Sequence, residues 1–434
     1  MQPDASGRPG RRAILLLTQT FPPDPAAVGN HFADVAHELA RRGHRVIVLT
    51  SAAGYDDPSR RYPIREHHAD GVEIRRIRFA SLGKSGIIRR VVASLAYMAQ
   101  CLALGATLSR LDGVVFSTSP PFIGIVGALI GLLRRVPVAY WVMDLNPDQL
   151  IAVGTLSRKS LLARLLLRLD QFILRRSSLV VALDGRMAAR LTTIHAHRGV
   201  VQVIPPWSPG VVPVTTPRTD NPFARAHGLI GDTVIMYSGN HTKSNPLKTL
   251  LEAAVRLRDE PRLRFVFVGQ GAGKAEVEHY QRRYDLSNVL SLPFQLADDL
   301  PMSLAAADVH VVSLGEEMAG IVHPSKVYAA MAAGRPILYL GPPSSHVSDL
   351  LERHDIGWRV SHGDVDAVVR TLRGILADGP RGGQEMGTRA RHVIDVELTP
   401  ERLYRAFCNA LELAFWGIGP TDSADVAEPT QPIA

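Results

Sequence analysis

Two strand–loop–helix–strand segments, one in each half of the chain, limit the possible folds of this 434-residue sequence most strongly. In the first half, residues 13–20 predict a buried strand, residues 31–42 predict a helix, and RVIVLT predicts the next strand. In the second half, residues 233–239 and 263–269 predict two strands separated by the helix LKTLLEAAVRLR. A helical crossover places its two strands parallel. The sequence therefore predicts an α/β fold with two Rossmann-like, doubly wound domains.

The domain boundaries follow from changes in composition along the chain. The two ends have no apolar periodicity and are predicted to be disordered, and a proline-rich segment in the middle predicts a linker. The segments are a disordered N-terminus at 1–12, an N-terminal Rossmann-like domain at 13–205, a linker at 206–222, a C-terminal Rossmann-like domain at 223–396, a helix at 397–416 that can return to the N-terminal domain, and a disordered tail at 417–434.

The net charge of +8 favours an anionic partner, which can be nucleic acid, a membrane surface or a phosphorylated small molecule. We expect no nucleic-acid partner, because the arginines are spread along predicted helices without interleaved aromatic residues. Cys101 and Cys408 lie in separate apolar stretches and are expected to be buried thiols. No signal-peptide core precedes the first strand, so a cytoplasmic location is expected.

Residues 91–109 contain no charged side chain, although alanine, serine and threonine dilute their hydrophobicity. Three interpretations stay open for this segment: a core helix, a helix at the membrane surface, or a membrane span. The basic residues that flank it, including Lys84 and Arg110, suit a helix that contacts anionic lipid. The arginine-rich stretch at 158–176 is interpreted as a solvated helix face.

The stretch EEMAGIVHPSKVYAAMAAGRP predicts an anion site in the second domain. A strand at 309–314 leads to Glu316 and Glu317, and a short helix is expected to begin at a Ser325 cap and end before Gly334. Lys326 at the start of that helix is unfavourable for the helix dipole. Its presence is explained if helix amides, the serine hydroxyl and the ammonium together bind a diphosphate. The alternative is a lysine that bends into solvent.

Four ordered stretches resemble a family 4 glycosyltransferase of the GT-B fold, from the bacterial exopolysaccharide and O-antigen branch. They begin TQTFPPDPAAVGNH, YWVMDLNPD, MYSGNHTKSNP and GEEMAGIVHPSK, and the resemblance extends over about residues 13–415. It implies two domains that face each other across a cleft, and a nucleotide-sugar donor bound by the second domain. It also implies transfer to a lipid-linked or saccharide acceptor, with retention of configuration.

The resemblance also assigns roles to individual residues. Glu317 matches the first glutamate of the family's donor motif, which contacts sugar hydroxyls, whereas Ala329 replaces the second glutamate, which holds the ribose. Asn240 replaces the usual arginine after the first strand of the second domain. The usual lysine must then be Lys243 or Lys248, and Lys243 is preferred because it lies in the loop.

The resulting candidate site combines four catalytic candidates with a larger set of binding residues. Asp144 and Asp148 are expected to orient the acceptor hydroxyl, with a loop or helix cap as the alternative role of Asp144, and His31 and His323 are further candidates. Gly29 and Asn30 are expected to begin a helix whose amides approach the donor or acceptor, or else to form an ordinary turn and cap. The catalytic set is Glu317, Lys326, Lys243 and Asp144, and the binding set is Gly29, Asn30, Gly239, Asn240, Gly269, Gly271, Glu316, His323 and Ser325.

The resemblance therefore implies a transferase that uses a UDP-sugar, without a metal or other cofactor. The expected acceptor is a lipid-linked sugar at the inner face of the cell membrane, where the chain is peripheral. A sugar-nucleotide epimerase with the same fold and a non-catalytic membrane scaffold remain alternatives, and the oligomeric state stays open.

Overall fold

The computed structural model describes residues 11–419 apart from 25, 55–56, 58, 79–86, 196, 198, 209–216, 297 and 380–382. The chain divides into unit 1, formed by residues 1–209 and 400–434, and unit 2, formed by residues 210–399. Most of the two predicted disordered ends, and the central part of the predicted linker at 206–222, lie outside the described residues.

Unit 1 contains an eight-stranded sheet whose strands are parallel, except that β3 runs antiparallel to β4. Its order is β3-β4-β2-β1-β5-β6-β7-β8. All five residues of β1 are buried, as expected for a parallel strand with both faces covered. The strands are β1 Ala13–Leu17, β2 Arg45–Ser51, β3 Arg65–His67, β4 Val72–Ile77, β5 Gly113–Phe116, β6 Val138–Trp141, β7 Leu179–Ala182 and β8 Val200–Val203.

The helices of unit 1 cover both faces of this sheet. The connections β4–β5, β5–β6 and β6–β7 step across the sheet in one direction, and the connection β1–β2 steps in the other. Because such crossovers are right-handed, the helices of the first three connections share one face and α1 covers the opposite face. These helices are α1 Ala27–Arg41, α2 Ile87–Ala106, α3 Ile123–Arg134, α4 Asp148–Ala152, α5 Leu161–Arg176 and α6 Gly185–Thr193.

Unit 2 has a six-stranded, fully parallel sheet with the order β11-β10-β9-β12-β13-β14. The strand order reverses between β9 and β12, so the carboxyl ends of these two strands form the topological switch point where such sheets bind ligands. The strands are β9 Thr233–Ser238, β10 Leu263–Val268, β11 Val289–Leu292, β12 Val309–Ser313, β13 Ile337–Leu340 and β14 Gly357–Val360.

Eight helices are described in unit 2, and the last helix of the chain belongs to unit 1. The prediction of two doubly wound α/β domains is confirmed. The helices of unit 2 are α7 Pro222–Ala226, α8 Lys248–Arg256, α9 Lys274–Arg283, α10 Leu300–Ala305, α11 Lys326–Ala332, α12 His346–His354, α13 Val365–Asp378 and α14 Gln384–Val396, and the last helix is α15 Pro400–Trp416.

Helix α15 packs against α1 and completes the core of unit 1. The rings of Phe407 and Trp141 have centroids 4.4 Å apart. Glu412 accepts hydrogen bonds from Arg42, at 2.6 Å, and from the ring of His44, at 2.8 Å. The contact is therefore both apolar and ionic, and its polar pairs join residues more than 360 positions apart in the sequence.

Helix α2 contains most of the uncharged segment at 91–109. Ala93, Tyr97 and Cys101 form a buried stripe, and the hydroxyl of Tyr97 donates to the carbonyl of Thr18 at 2.8 Å. Among the described residues, no helix has the length and apolar character needed to cross a membrane. The membrane-span interpretation is therefore not supported, and one face of α2 is a core face.

Candidate functional site

The loop after β9 lies at the switch point of unit 2 and is shaped by its glycine. Gly239 has a φ of +136°, a conformation that side chains rarely adopt. Its N–H donates to the carbonyl of Val268 at 2.9 Å. The hydroxyl of Tyr237 donates to the carbonyl of Asn240 at 2.6 Å. These bonds hold the loop close to the end of the neighbouring strand β10.

The loop after β10 crosses the Gly239 loop at very short range. A β-carbon built on Gly269 would lie 2.0 Å from the carbonyl oxygen of Gly239, and one built on Gly271 would lie 2.3 Å from that of His241. The N–H of His241 donates to the carbonyl of Gln270 at 2.8 Å. The predicted residues Gly239, Gly269 and Gly271 therefore come together, because only glycine allows the two backbones to approach this closely.

The side chain of Lys326 lies over the Gly239 loop. A β-carbon on Gly239 would be 2.3 Å from Cε of Lys326, and the ammonium lies 5.5 Å from the ring centroid of Tyr237. Burial lowers the pKa of Lys326 to about 8. The ammonium thus lies over an aromatic face and beside a loop whose glycine has no side chain, and it can pair there with an anion at the switch point.

The start of α11 differs from the prediction, whereas its end agrees with it. Ser325 makes no side-chain cap hydrogen bond, and its φ of −56° and ψ of −17° are helical. A capping side chain requires an extended backbone to reach the next turn, so the predicted Ser325 cap is wrong. The side chain of Ser325 is instead exposed. Gly334 has a φ of +66° and follows the last turn, which confirms the predicted helix end.

Two acidic side chains follow β12, the strand beside β9. Glu316 and Glu317 lie in a short 3₁₀ turn, and both are exposed. The turn is joined to the Gly239 side of the switch point, because the N–H of Gly315 donates to the carbonyl of Ser244 at 2.8 Å. The sheet order thus brings these predicted carboxylates to the same edge as Lys326.

His323 belongs to a chain of hydrogen bonds that the sequence did not indicate. Its Nε2 lies 3.0 Å from the hydroxyl of Tyr328, and that hydroxyl lies 2.8 Å from Nε2 of His346. The ring of His323 is buried, and the ring of His346 is half-buried. These hydrogen bonds hold the segment between Glu317 and Lys326 against the start of α12.

His241 and Lys274 are further members of the site that sequence reasoning missed. Burial, together with the nearby ammonium groups of Lys274 and Lys326, lowers the pKa of His241 to about 4, so its ring is neutral. Lys274 donates to the carbonyls of Gly269, at 2.9 Å, and Leu292, at 2.8 Å. A usable signal was present: Lys274, like Lys326, is a cation at the first position of a helix.

Lys243 and Lys248 occupy different environments. Lys243 is exposed in the loop after β9 and lines a pocket of about 290 Å³ with His241, Asn245 and Glu276. Lys248 lies on α8 and pairs with Glu252 at 3.8 Å. Lys243 therefore lies in the loop that follows β9, and Lys248 lies on a solvated helix face. The preference for Lys243 as the cation of the site stays a prediction.

In unit 1, Gly29 and Asn30 lie inside the first turn of α1, which begins at Ala27. Their N–H groups donate to the carbonyl of Ala26, at 3.0 and 3.3 Å, so this arrangement does not favour a contact between these amides and a phosphate. Packing explains the glycine at position 29, because a β-carbon there would lie 2.9 Å from the backbone of Thr20.

His31 and Asp148 are buried among other side chains of unit 1, whereas Asp144 lies in the loop that follows β6. His31 is buried, its ring centroid lies 4.6 Å from that of Trp207, and burial lowers its pKa to about 4. Asp148 is almost fully buried and pairs with Arg190 at 2.7 Å and with His195 at 3.1 Å. Asp148 is therefore not available to an acceptor, whereas Asp144 is half-buried.

His195 bridges two carboxylates in this buried group. Its ring nitrogens lie 3.1 Å from Asp148 and 3.0 Å from Asp170. Burial opposes protonation, but the hydrogen bonds to the two carboxylates outweigh it and raise the pKa of His195 to about 9. The described residues contain no group of three or more His, Cys, Asp or Glu side chains arranged to hold a metal ion.

Two family models match the chain, one in each unit. The model described as "Glycosyl transferase 4-like domain" matches residues 26–207, and the model described as "Glycosyl transferases group 1" matches residues 232–378. Together they cover about three quarters of the sequence.

Two curated relatives have the same kind of description. "Probable glycosyltransferase WbjE" of Pseudomonas aeruginosa is 28% identical over 267 residues, which are 61% of this chain and 66% of the relative. "Putative colanic acid biosynthesis glycosyl transferase WcaI" of Escherichia coli K12 is 34% identical over 177 residues, which are 41% of this chain and 42% of the relative. The matched part thus spans less than two thirds of either relative.

Solved structures share the fold at low sequence identity. Sucrose-phosphate synthase from Thermosynechococcus elongatus has a TM-score of 0.68 at 18% identity, with 93% of this chain and 97% of that one covered. HepE from Anabaena in complex with UDP-glucose has a TM-score of 0.67 at 17% identity, with 92% and 99% covered. WaaG, a glycosyltransferase involved in lipopolysaccharide biosynthesis, has a TM-score of 0.63 at 17% identity, with 90% and 98% covered. The fold is therefore GT-B.

Proposed function

Because the chain belongs to family 4 of the glycosyltransferases, whose two domain models it matches in order, we propose that it transfers a sugar from a nucleotide-diphosphate sugar. The acceptor is a lipid-linked sugar or a saccharide in the synthesis of a cell-surface polysaccharide. The curated relatives WbjE and WcaI support this class of reaction.

One observation carries the donor proposal: the Lys326 ammonium lies over the Gly239 loop at the switch point of unit 2. Parallel sheets of this kind bind ligands beyond the carboxyl ends of their strands. The loops after β9 and β10 have glycines, and therefore no side chains, beside the ammonium. Lys243 adds a second cation at the same edge. A diphosphate fits this arrangement of charge. We take the donor to be a UDP-sugar, and the UDP-glucose complex of HepE supports that choice.

In the proposed reaction, the site stabilises the departing diphosphate. Negative charge develops on the bridging oxygen as the bond to the sugar breaks, and Lys326 and Lys243 would neutralise it without reorganising. Glu317 would hold hydroxyls of the transferred sugar, as the family resemblance implies. Ala329 cannot hold the ribose, so that contact must come from another group in unit 2. The transfer proceeds with retention and requires neither a metal nor a further cofactor.

The acceptor belongs to unit 1 in this proposal. Asp144 follows β6, at the carboxyl edge of that sheet, and would orient the acceptor hydroxyl. A lipid-linked acceptor requires the enzyme to work at a membrane surface. We therefore propose a cytoplasmic enzyme that is peripheral on the inner face of the cell membrane.

The test combines binding with turnover. We expect UDP and UDP-sugars to raise the melting temperature of the full chain, and GDP and ADP to raise it less. Lys326→Met should abolish the UDP shift, whereas Lys248→Met, which removes an equally charged side chain from a solvated helix face, should retain it. Equal shifts in both variants, or no shift with any nucleotide, would remove the basis of the proposal.

The two alternatives predict different turnover. An epimerase would convert a UDP-sugar without an acceptor, and a scaffold would not consume the donor. The transferase proposed here releases UDP only when an acceptor is present. The family models and the curated relatives favour the transferase.

A further inference from the structure

Helix α2 has a second apolar face that no described residue covers. Val91, Val92 and Leu95 are each at least 50% exposed, although they lie beside the buried stripe of Ala93 and Tyr97. A helix on the surface of a globular protein normally presents charged and polar residues to solvent. The outer face of α2 is instead aliphatic for its first turns beyond residue 90.

Helix α5 exposes leucines next to arginines. Leu161, Leu162 and Leu165 are between 52% and 77% exposed. Arg164 and Arg168 are also exposed and alternate with these leucines on the same side of the helix. The buried side of α5 carries Ala163 and Asp170. The helix therefore presents a mixed apolar and cationic face to its surroundings, which is typical of a helix at a lipid interface.

The two exposed faces lie at one end of the same helical layer. Helices α2, α3 and α5 cover one face of the unit 1 sheet, and α3 contacts both α2 and α5. In each right-handed crossover the helix runs antiparallel to the strands, so the first turns of these helices lie near the carboxyl edge of the sheet. We define the apolar-basic patch as the three exposed aliphatic residues of α2 together with Leu161, Leu162, Arg164, Leu165 and Arg168 of α5.

The charge of this layer indicates the chemistry of what it contacts. Residues 87–111, 113–143 and 149–169 contain no acidic side chain, so the sequence of the layer is basic over these ranges. A symmetric contact with a second copy would bring together two patches that both carry exposed arginines and no acidic partner from these ranges, which is unfavourable. A bilayer with anionic headgroups accepts the leucines and pairs with the arginines at the same time.

We propose that the apolar-basic patch of α2 and α5 docks unit 1 on an anionic lipid bilayer. The leucines and valines enter the boundary between headgroups and acyl chains, and the two arginines contact lipid phosphates. The inference names the surface for the peripheral location given under the proposed function. It rests on the proposed function in one respect, because that function explains why the protein binds a membrane.

The experiment is flotation of the full-length chain with vesicles of phosphatidylcholine, with or without about one third phosphatidylglycerol. We expect binding to the anionic vesicles only. Arg164→Gln with Arg168→Gln should weaken binding roughly thirtyfold. Leu161→Gln with Leu165→Gln should weaken it roughly tenfold or more. Leu132→Gln with Leu133→Gln is the matched control, because these exposed leucines lie at the C-terminal end of α3, away from the patch.

Three results would overturn the proposal. They are failure of the unaltered chain to bind anionic vesicles, equal losses in the control and patch variants, and a concentration-dependent dimer that the leucine substitutions dissolve. UDP binding is measured on the same samples and should be unchanged by every substitution. If the unaltered chain does not bind UDP, the proposed function is contradicted. The vesicle result still decides the docking surface in that case.

Discussion

Replacing Gly239 with alanine tests the placement of Lys326 without touching the lysine itself. The added methyl would lie 2.3 Å from Cε of Lys326, well inside van der Waals contact, so the flexible lysine must move. The substitution also places a side chain at a φ of +136°. Gly231→Ala is the matched control, since Gly231 has a φ of +85° in the same unit and a methyl there would meet nothing within 4 Å.

The two substitutions should separate stability from binding. Each should lower the free energy of unfolding by about 1–3 kcal/mol through backbone strain. Only Gly239→Ala displaces the ammonium. A hydrogen bond to a charged group contributes about 1.5–3 kcal/mol, so its loss should raise the Kd for UDP roughly 10- to 150-fold. Gly231→Ala should leave that Kd unchanged.

Calorimetric titration with UDP, combined with urea unfolding, provides the assay. A double-mutant cycle sharpens it, because Gly239→Ala should add almost nothing to the loss caused by Lys326→Met if both act through the same ammonium. Fully additive losses would refute the reasoning. So would a Gly239→Ala variant that binds UDP within about twofold of the unaltered chain, since twofold is below the loss expected for one charged hydrogen bond.

Three further predictions concern pH and metal ions. Burial lowers the pKa of Lys326 to about 8, so the Kd for UDP should rise as the pH increases through that value, and calorimetry should find no such rise in Lys326→Met. The pKa of His195 is raised from 6.5 to about 9, so its stabilisation is complete below about pH 6.5 and disappears as the pH rises through about 9. That contribution is about 3 kcal/mol, and urea unfolding of the unaltered chain and of His195→Gln should differ at neutral pH and converge above about pH 9. EDTA should leave the rate of sugar transfer unchanged, and activity that EDTA abolishes and Mg²⁺ restores would contradict the metal-free proposal.

The sheets could be predicted from sequence because their strands are buried on both faces and read as continuous apolar runs. Residues 13–20, 233–239 and 263–269 show this signal, and each predicted segment contains the corresponding strand. The start of α1 was placed four residues too late, at residue 31. Gly29 lies inside the helix, and close packing against the backbone of Thr20 explains why a residue with low helix propensity occupies this position.

The candidate site was only partly predictable, because its closest contacts join loops that are far apart in sequence. Gly269 meets Gly239, and Lys326 meets Tyr237, only after three parallel strands have been ordered side by side. Periodicity cannot show such crossings. His241 was missed for this reason. Asp148 was assigned to the acceptor because nothing local shows that His195 and Arg190 neutralise it.

The return of α15 to unit 1 sets an order for folding during synthesis. Residues 210–399 form a continuous segment and can fold as soon as they leave the ribosome. Unit 1 cannot complete its fold at that stage, because Trp141, Arg42 and His44 contact Phe407 and Glu412, which are translated later. The first domain to be translated is thus the last to be finished, and until then the nascent protein leaves Trp141, Arg42 and His44 without their α15 partners.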